Sequence, residues 1–229
     1  VAGRLLDINP FYQPDVESAK QAARDLMSGD GATASEPDLT DGPVTVSHAG
    51  GDWLGGASTL DEAVTALLDQ LDPDHGYVAV MAYLDREGDA PFAEVADALA
   101  ERVDRPVTFG GGPRFLHSTG QYHKGGPATG VYIQVTDEPR EDLPVPGRDF
   151  TLGEFIAAQA GGDGQVLAEA VTAIIPERTP VEETMAVVLM GRQAWLAEGT
   201  ESYRIFIRTL LSITDNLVEN RVVHPEGVT

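Results

Sequence analysis

The 229-residue chain contains no cysteine. That absence excludes disulfides, thiolate metal sites and thiol nucleophiles together, and it suits a reducing cytoplasm. Lysine is nearly missing too. Of 15 basic side chains only Lys20 and Lys124 are lysines, so arginine has taken over the usual solubilising role. Two lysines in such a background are candidates for what a compact ammonium does specifically. No apolar run reaches the length of a membrane span, and the first residues do not form a signal peptide. The chain begins at Val1, mid-pattern, as expected of a piece of something longer.

Acid is what the chain has in abundance: 37 Asp and Glu against 15 Lys and Arg, a net charge of −22. Nucleic acid and anionic membranes both need their phosphates neutralised, so neither is expected as a partner. A salt-tolerant source would also give such an excess. Hydrophobic residues at 42 % suit one large globular domain or two small ones.

The acid is unevenly spread. With 37 acids in 229 residues a 32-residue window would hold about five, yet Arg105 to Thr136 holds none. The same window carries Arg105, Arg114, Lys124 and the histidines His117 and His123. A locally positive island in a negative chain attracts anions. Its centre, FGGGPRFLHSTGQYHKGGPATG, is rich in glycine, whose backbone N–H groups can approach a ligand closely. Ser118 and Thr119 add hydroxyl donors, and Lys124 a point charge. The histidines lack neighbouring carboxylates or thiolates, so no metal is expected. Lys124 is followed by glycine rather than Ser or Thr, so there is no Walker A loop. The bland reading is a glycine-rich turn whose histidines bond backbone carbonyls.

Periodicity predicts α/β organisation. After Pro14 the pattern DVESAKQAARDLM is helical, and residues 28–42 read as a broken polar linker. Pro43 to Ser47 reads as a short strand. STLDEAVTALLDQL starts with a hydroxyl cap and a first-turn acid. GYVAVMAYL is a continuous apolar run, as for a strand buried on both faces. PFAEVADALAERV is a second helix, and PVTFG and GVYIQVT are strands flanking the glycine-rich stretch. Strands alternating with helices predict a mainly parallel sheet flanked by helices. FTLGEFIAAQA and DGQVLAEAVTAI read as two helices. Beyond Pro180, VEETMAVVLMGRQAWLAEG and ESYRIFIRTLLSITDNLVEN read as a helical C-terminal tail, packed on the α/β body or acting as a docking element. The segments are therefore 1–42, 43–167 and 168–229.

LDINPFYQPDVESAK, Leu6 to Lys20, resembles the C-terminal signature of glucose-6-phosphate isomerases. Asn9, Phe11, Gln13, Val16, Glu17 and Lys20 match its layout. Tyr12 stands where Asp is usual, and Pro14-Asp15 replaces Trp-Gly. GPRFLHSTGQYHKGGPATGVYIQVT and DLPVPGRDFTLGEFIAAQAGGDGQVL are similar to stretches of the actinobacterial and transaldolase-fusion types. The resemblance covers residues 1–167 and ends near Ala168.

The resemblance implies a sugar-isomerase-like lobe, a place in glycolysis and gluconeogenesis, and metal-free, cofactor-free aldose–ketose isomerisation of glucose 6-phosphate through an enediolate. Lys20 would take the family lysine's catalytic place. Arg114, His117, Ser118, Thr119, Gln121, His123 and Lys124 are the expected substrate and phosphate ligands. Glu17 and Lys20 share a helix face and are expected to pair. His117 or His123 could carry protons near neutral pH. The family's catalytic glutamate has no counterpart here, so the chain alone is expected to be inactive. Its partners would be a sugar phosphate and a second copy or another lobe of the same enzyme. The alternatives are a non-catalytic phosphosugar-binding or docking module, and an interaction domain without a ligand.

Overall fold

The computed structural model describes residues 2–7, 9, 14–29, 36–137, 139, 141–174 and 186–192. In chain order the elements are α1 (Ala2–Leu5), α2 (Pro14–Ser28), β1 (Leu39–Asp41), β2 (Val44–Ala49), α3 (Leu60–Leu68), β3 (Tyr77–Tyr83) and α4 (Glu94–Val103). They continue with β4 (Val107–Gly111), α5 (Thr119–Gly125), β5 (Gly130–Asp137), α6 (Leu152–Ile174) and β6 (Ala186–Arg192), with 3-10 turns at Ala90–Ala93 and Arg114–His117.

Local chemistry sets these elements. Thr59 caps α3, its hydroxyl accepting from the Glu62 backbone N–H at 3.2 Å. The Glu62 carboxylate reaches back to accept from the Ser58 N–H at 2.8 Å, so two otherwise orphaned donors are satisfied reciprocally. Helical spacing then buries Leu60, Ala63, Val64, Leu67 and Leu68 on one face. All seven residues of β3 are buried, and they divide by period two. Val78, Val80 and Ala82 face the core with α3 and α4, while Ala79, Met81 and Tyr83 face the core with Phe115, Ala160 and Leu167.

The sheet order is β1-β2-β6-β5-β3-β4. β4, β3, β5 and β6 run parallel, and β2 joins β6, and β1 joins β2, antiparallel. The fold is therefore α/β, with a mainly parallel sheet flanked by helices, as the alternating pattern predicts. Strands come from all three sequence segments, since β1 lies within 1–42 and β6 within 168–229.

Three local expectations differ. The two helices expected across 150–174 are one, α6, running through Gly161 and Gly162. A Cβ on Gly162 would lie 2.7 Å from the Ala23 nitrogen and 2.8 Å from the Ala19 oxygen, so the glycine serves close approach to α2 rather than a break. The glycine-rich stretch is not an open loop; it contains a 3-10 turn and α5. Within the expected helix 181–199, Ala186–Arg192 form strand β6, because a short apolar run satisfies strand and buried helix equally. The second tail helix, 201–220, lies outside the described residues. No helix among the described residues is long and apolar enough to cross a membrane.

Candidate functional site

Connections leave the sheet on opposite faces at neighbouring strands. β3 leads to α4, which packs with α3 on one face, whereas β5 leads to α6 on the other. In open parallel sheets ligands bind outside the carboxyl ends of the strands at such a switch point. β4 ends beside it. Gly112 donates its N–H to Ala82 O at 2.8 Å, and a Cβ there would lie 2.5 Å from the Tyr83 ring, so only glycine fits. The Gly112-Pro113 bond is cis.

Beyond this point the structure sorts the expected anion ligands into two layers. Arg114, His117, Ser118 and Thr119 are exposed, Gln121 is half-buried, and His123 and Lys124 are buried. The Ser118 hydroxyl donates to Phe115 O at 3.2 Å. Arg114 lies beside Gly111, so its guanidinium sits next to bare backbone.

The Lys124 ammonium is not presented to solvent. It forms an ion pair with the Asp163 carboxylate of α6 and donates to Gly120 O at 3.2 Å. The second Asp163 oxygen accepts from the Tyr83 hydroxyl at 3.4 Å. Burial raises the Asp163 carboxyl above its usual range, with Lys124 and Tyr83 opposing the shift. Burial, with Asp163 adding, pushes the Tyr83 hydroxyl far up. Lys124 as a free point charge for an anion is thus corrected: the acid missing from residues 105–136 arrives from α6. Sequence reasoning missed Asp163 and Tyr83. The available signal was that a buried lysine requires a carboxylate, and that Asp163 stands alone among small residues in AGGDGQ.

His123 is buried against Tyr132, Tyr77 and Phe115, with ring centroids 5.4, 6.2 and 6.2 Å away. Its Nδ1 has no hydrogen-bond partner. Burial first, and the Lys124 charge second, lower it to about 4. It is therefore neutral near pH 7, which corrects the expectation that it carries protons there. Its carbonyl accepts from the Tyr132 hydroxyl at 2.9 Å, and Tyr132 meets Tyr77 hydroxyl to hydroxyl at 2.7 Å.

Lys20 sits on the exposed side of α2 and donates to Glu17 at 2.6 Å. That hydrogen bond and the ammonium charge lower the Glu17 carboxyl, with Arg24 and His117 adding. The fold thus brings His117 towards the Glu17–Lys20 pair. Residues 10–13 of the same signature lie outside the described residues. Among the described residues no group of three metal-ligating side chains comes together.

Residues 177–229 match the family model described as bacterial NAD-glutamate dehydrogenase, catalytic domain. No curated protein matches the chain. A solved structure, that of a hypothetical protein from Thermus thermophilus, is similar in fold, with a TM-score of 0.52 at 20 % identity. The likeness covers 72 % of this chain but only 41 % of that one, so the chain spans about two fifths of its length. At this identity the likeness speaks for the fold alone. The family match overturns the glucose-6-phosphate isomerase assignment. With it go the aldose–ketose activity, the isomerase class and the glycolytic role. It falls on the segment where the isomerase resemblance had already ended, so the short signatures in 1–167 were weaker identifiers than they looked.

Proposed function

We propose that the chain works as part of an enzyme of the NAD-glutamate dehydrogenase type, its α/β lobe being a frame for an anionic ligand. The observation that carries this reading is the position of β6. That strand belongs to the matched segment, yet it is an inner strand, paired with β5 from Val131↔Ala186 and with β2 from Val44↔Arg192. Segment and lobe therefore share one sheet. Both ligands in the family's description are anions: glutamate carries carboxylates and NAD a pyrophosphate. The face at the end of β4 suits either, with Arg114, Ser118 and Thr119 as its donors, His117 and Lys20 at its rim, and Gln121, His123 and Lys124 beneath. An NAD-linked enzyme without cysteine fits the reducing cytoplasm.

Isothermal titration of the whole chain with NAD, with glutamate and with glucose 6-phosphate tests the reading. Saturable heat with NAD or glutamate is expected. Arg114→Ala should weaken it roughly ten- to hundredfold, the worth of one charge-assisted contact. No heat with either, tighter binding of glucose 6-phosphate, or an unchanged Arg114→Ala variant would overturn it.

A further inference from the structure

The two edges of the sheet are built differently. β1, at one edge, is three residues long, with Asp38 just before it and Asp41 within it, so it is short and charged, as protected edges are. β4, at the other edge, runs for five residues, VTFGG, without a charge or a proline. Its backbone directions are fixed by its two ends. Pro106 O accepts from the Val78 N–H at 2.9 Å, and Gly112 donates its N–H to Ala82 O at 2.8 Å. Even-numbered residues of β4 thus turn towards β3, and in a parallel ladder the alternate residues turn away. Val107, Phe109 and Gly111 therefore point their N–H and C=O groups outwards, and among the described residues no strand pairs with that side. Their side chains share the face covered by α4. There Val107 packs on the core, while Phe109, its ring 6.2 Å from that of Phe92, stays 37 % exposed.

We propose that β4 pairs antiparallel with β4 of a second copy, across a two-fold axis at Phe109. Phe109 then stands opposite its own counterpart, and Val107 of each copy stands opposite Gly111 of the other. All of these are outward-pointing residues, so each opposed pair exchanges both of its hydrogen bonds and the two sheets become one. The exposed phenyl ring supplies the second argument. On the axis it meets the ring of the other copy on the same face of the sheet, where directly opposed aromatics attract. Charge supplies the third. Although each chain carries −22, the stretch from Arg105 to Gly112 holds no acid, so no carboxylates meet along the strand. Continued past the strand, the same register brings the exposed Asp104 of each copy beside the exposed Arg114 of the other. A parallel pairing would bring like ends together. This inference rests on strand geometry and is independent of the ligand reading.

Sedimentation velocity of the whole chain over a wide range of concentration should show a reversible equilibrium between monomer and dimer. Phe109→Asp sets two carboxylates opposite each other on the axis and should weaken the dimer roughly tenfold or more. A chain that is monomeric at every concentration, as when another segment of the same chain covers the edge, would overturn the proposal. So would an unchanged dimer in Phe109→Asp. The absence of cysteine allows a second reading that does not depend on how well that variant folds. Opposed residues in a hydrogen-bonded pair have Cα atoms about 5.5 Å apart, within reach of a disulfide. Phe109→Cys, mildly oxidised, should therefore link two chains roughly tenfold faster or more than Asp52→Cys, an exposed position beyond β2 on the far side of the sheet. Equal rates of linkage for the two variants would overturn the pairing.

Discussion

Asp163→Asn isolates the buried polar cluster. In the parent chain Lys124 and Asp163 are sealed from water, and the carboxylate serves both the ammonium and the Tyr83 hydroxyl. The amide keeps the shape and removes the charge, so the ammonium is left buried with neutral acceptors, the amide oxygen and Gly120 O, in place of its counter-charge. Breaking one side of a buried pair costs about 3–5 kcal/mol, because the remaining charge stays desolvated. At roughly 2–4 °C per kcal/mol for a chain of this size, Tm should fall by about 6–20 °C. Urea unfolding at pH 7, followed by far-ultraviolet circular dichroism, measures the loss directly. The companion variant Lys124→Met with Asp163→Leu removes both charges and fills the same space, and it should recover most of the stability. A loss below about 1 kcal/mol for Asp163→Asn would refute the buried pair. So would a double variant as unstable as the single one.

Acid should act through His123, whose folded value of about 4 lies below the ordinary 6.5. The unfolded chain then binds the extra proton, so stability rises with pH across that window and is lost as pH falls from 6.5 towards 4. The full effect is about 3 kcal/mol, and His123→Phe should flatten the slope in urea melts taken between those values. Gly162→Ala places a methyl against the backbone of Ala19 and Ala23. A loss of about 1–3 kcal/mol is expected despite the better helix propensity of alanine, and a more stable variant would contradict the close α2–α6 packing. Lys20→Ala removes only an exposed pair on α2 and should leave Tm unchanged within error, whereas a large drop would show that Lys20 does more than pair with Glu17.

Much of the fold was legible because local and global preferences agree. The apolar run at Tyr77–Tyr83 became a strand buried on both faces, and the Ser58-Thr59 cap opened α3. The exposed Glu17–Lys20 pair also followed from spacing alone. Long-range pairing was not legible. Lys124 and Asp163 are 39 positions apart, and only the packing of α5 on α6 brings them together. The acid-free window therefore looked more positive in sequence than it is in space. Ala186–Arg192 read as helix because periodicity does not distinguish short buried strands, and only the place between β2 and β5 decides it. The two glycines in α6 read as a break because their role depends on α2 alongside. The isomerase resemblance went astray for a different reason. Its motifs sit in 1–167, and the family match lies beyond them.

Lobe and matched segment form one body only if residues 177–229 contribute to the sheet rather than forming an appendage. Amide hydrogen exchange of the whole chain at residues 186–192, compared with Tyr77–Tyr83 and Gly130–Asp137, tests that most directly. An inner strand hydrogen-bonded on both edges predicts protection of the same order as those two strands. Exchange at the rate of an unstructured peptide would contradict it, and with it the joining of lobe and segment.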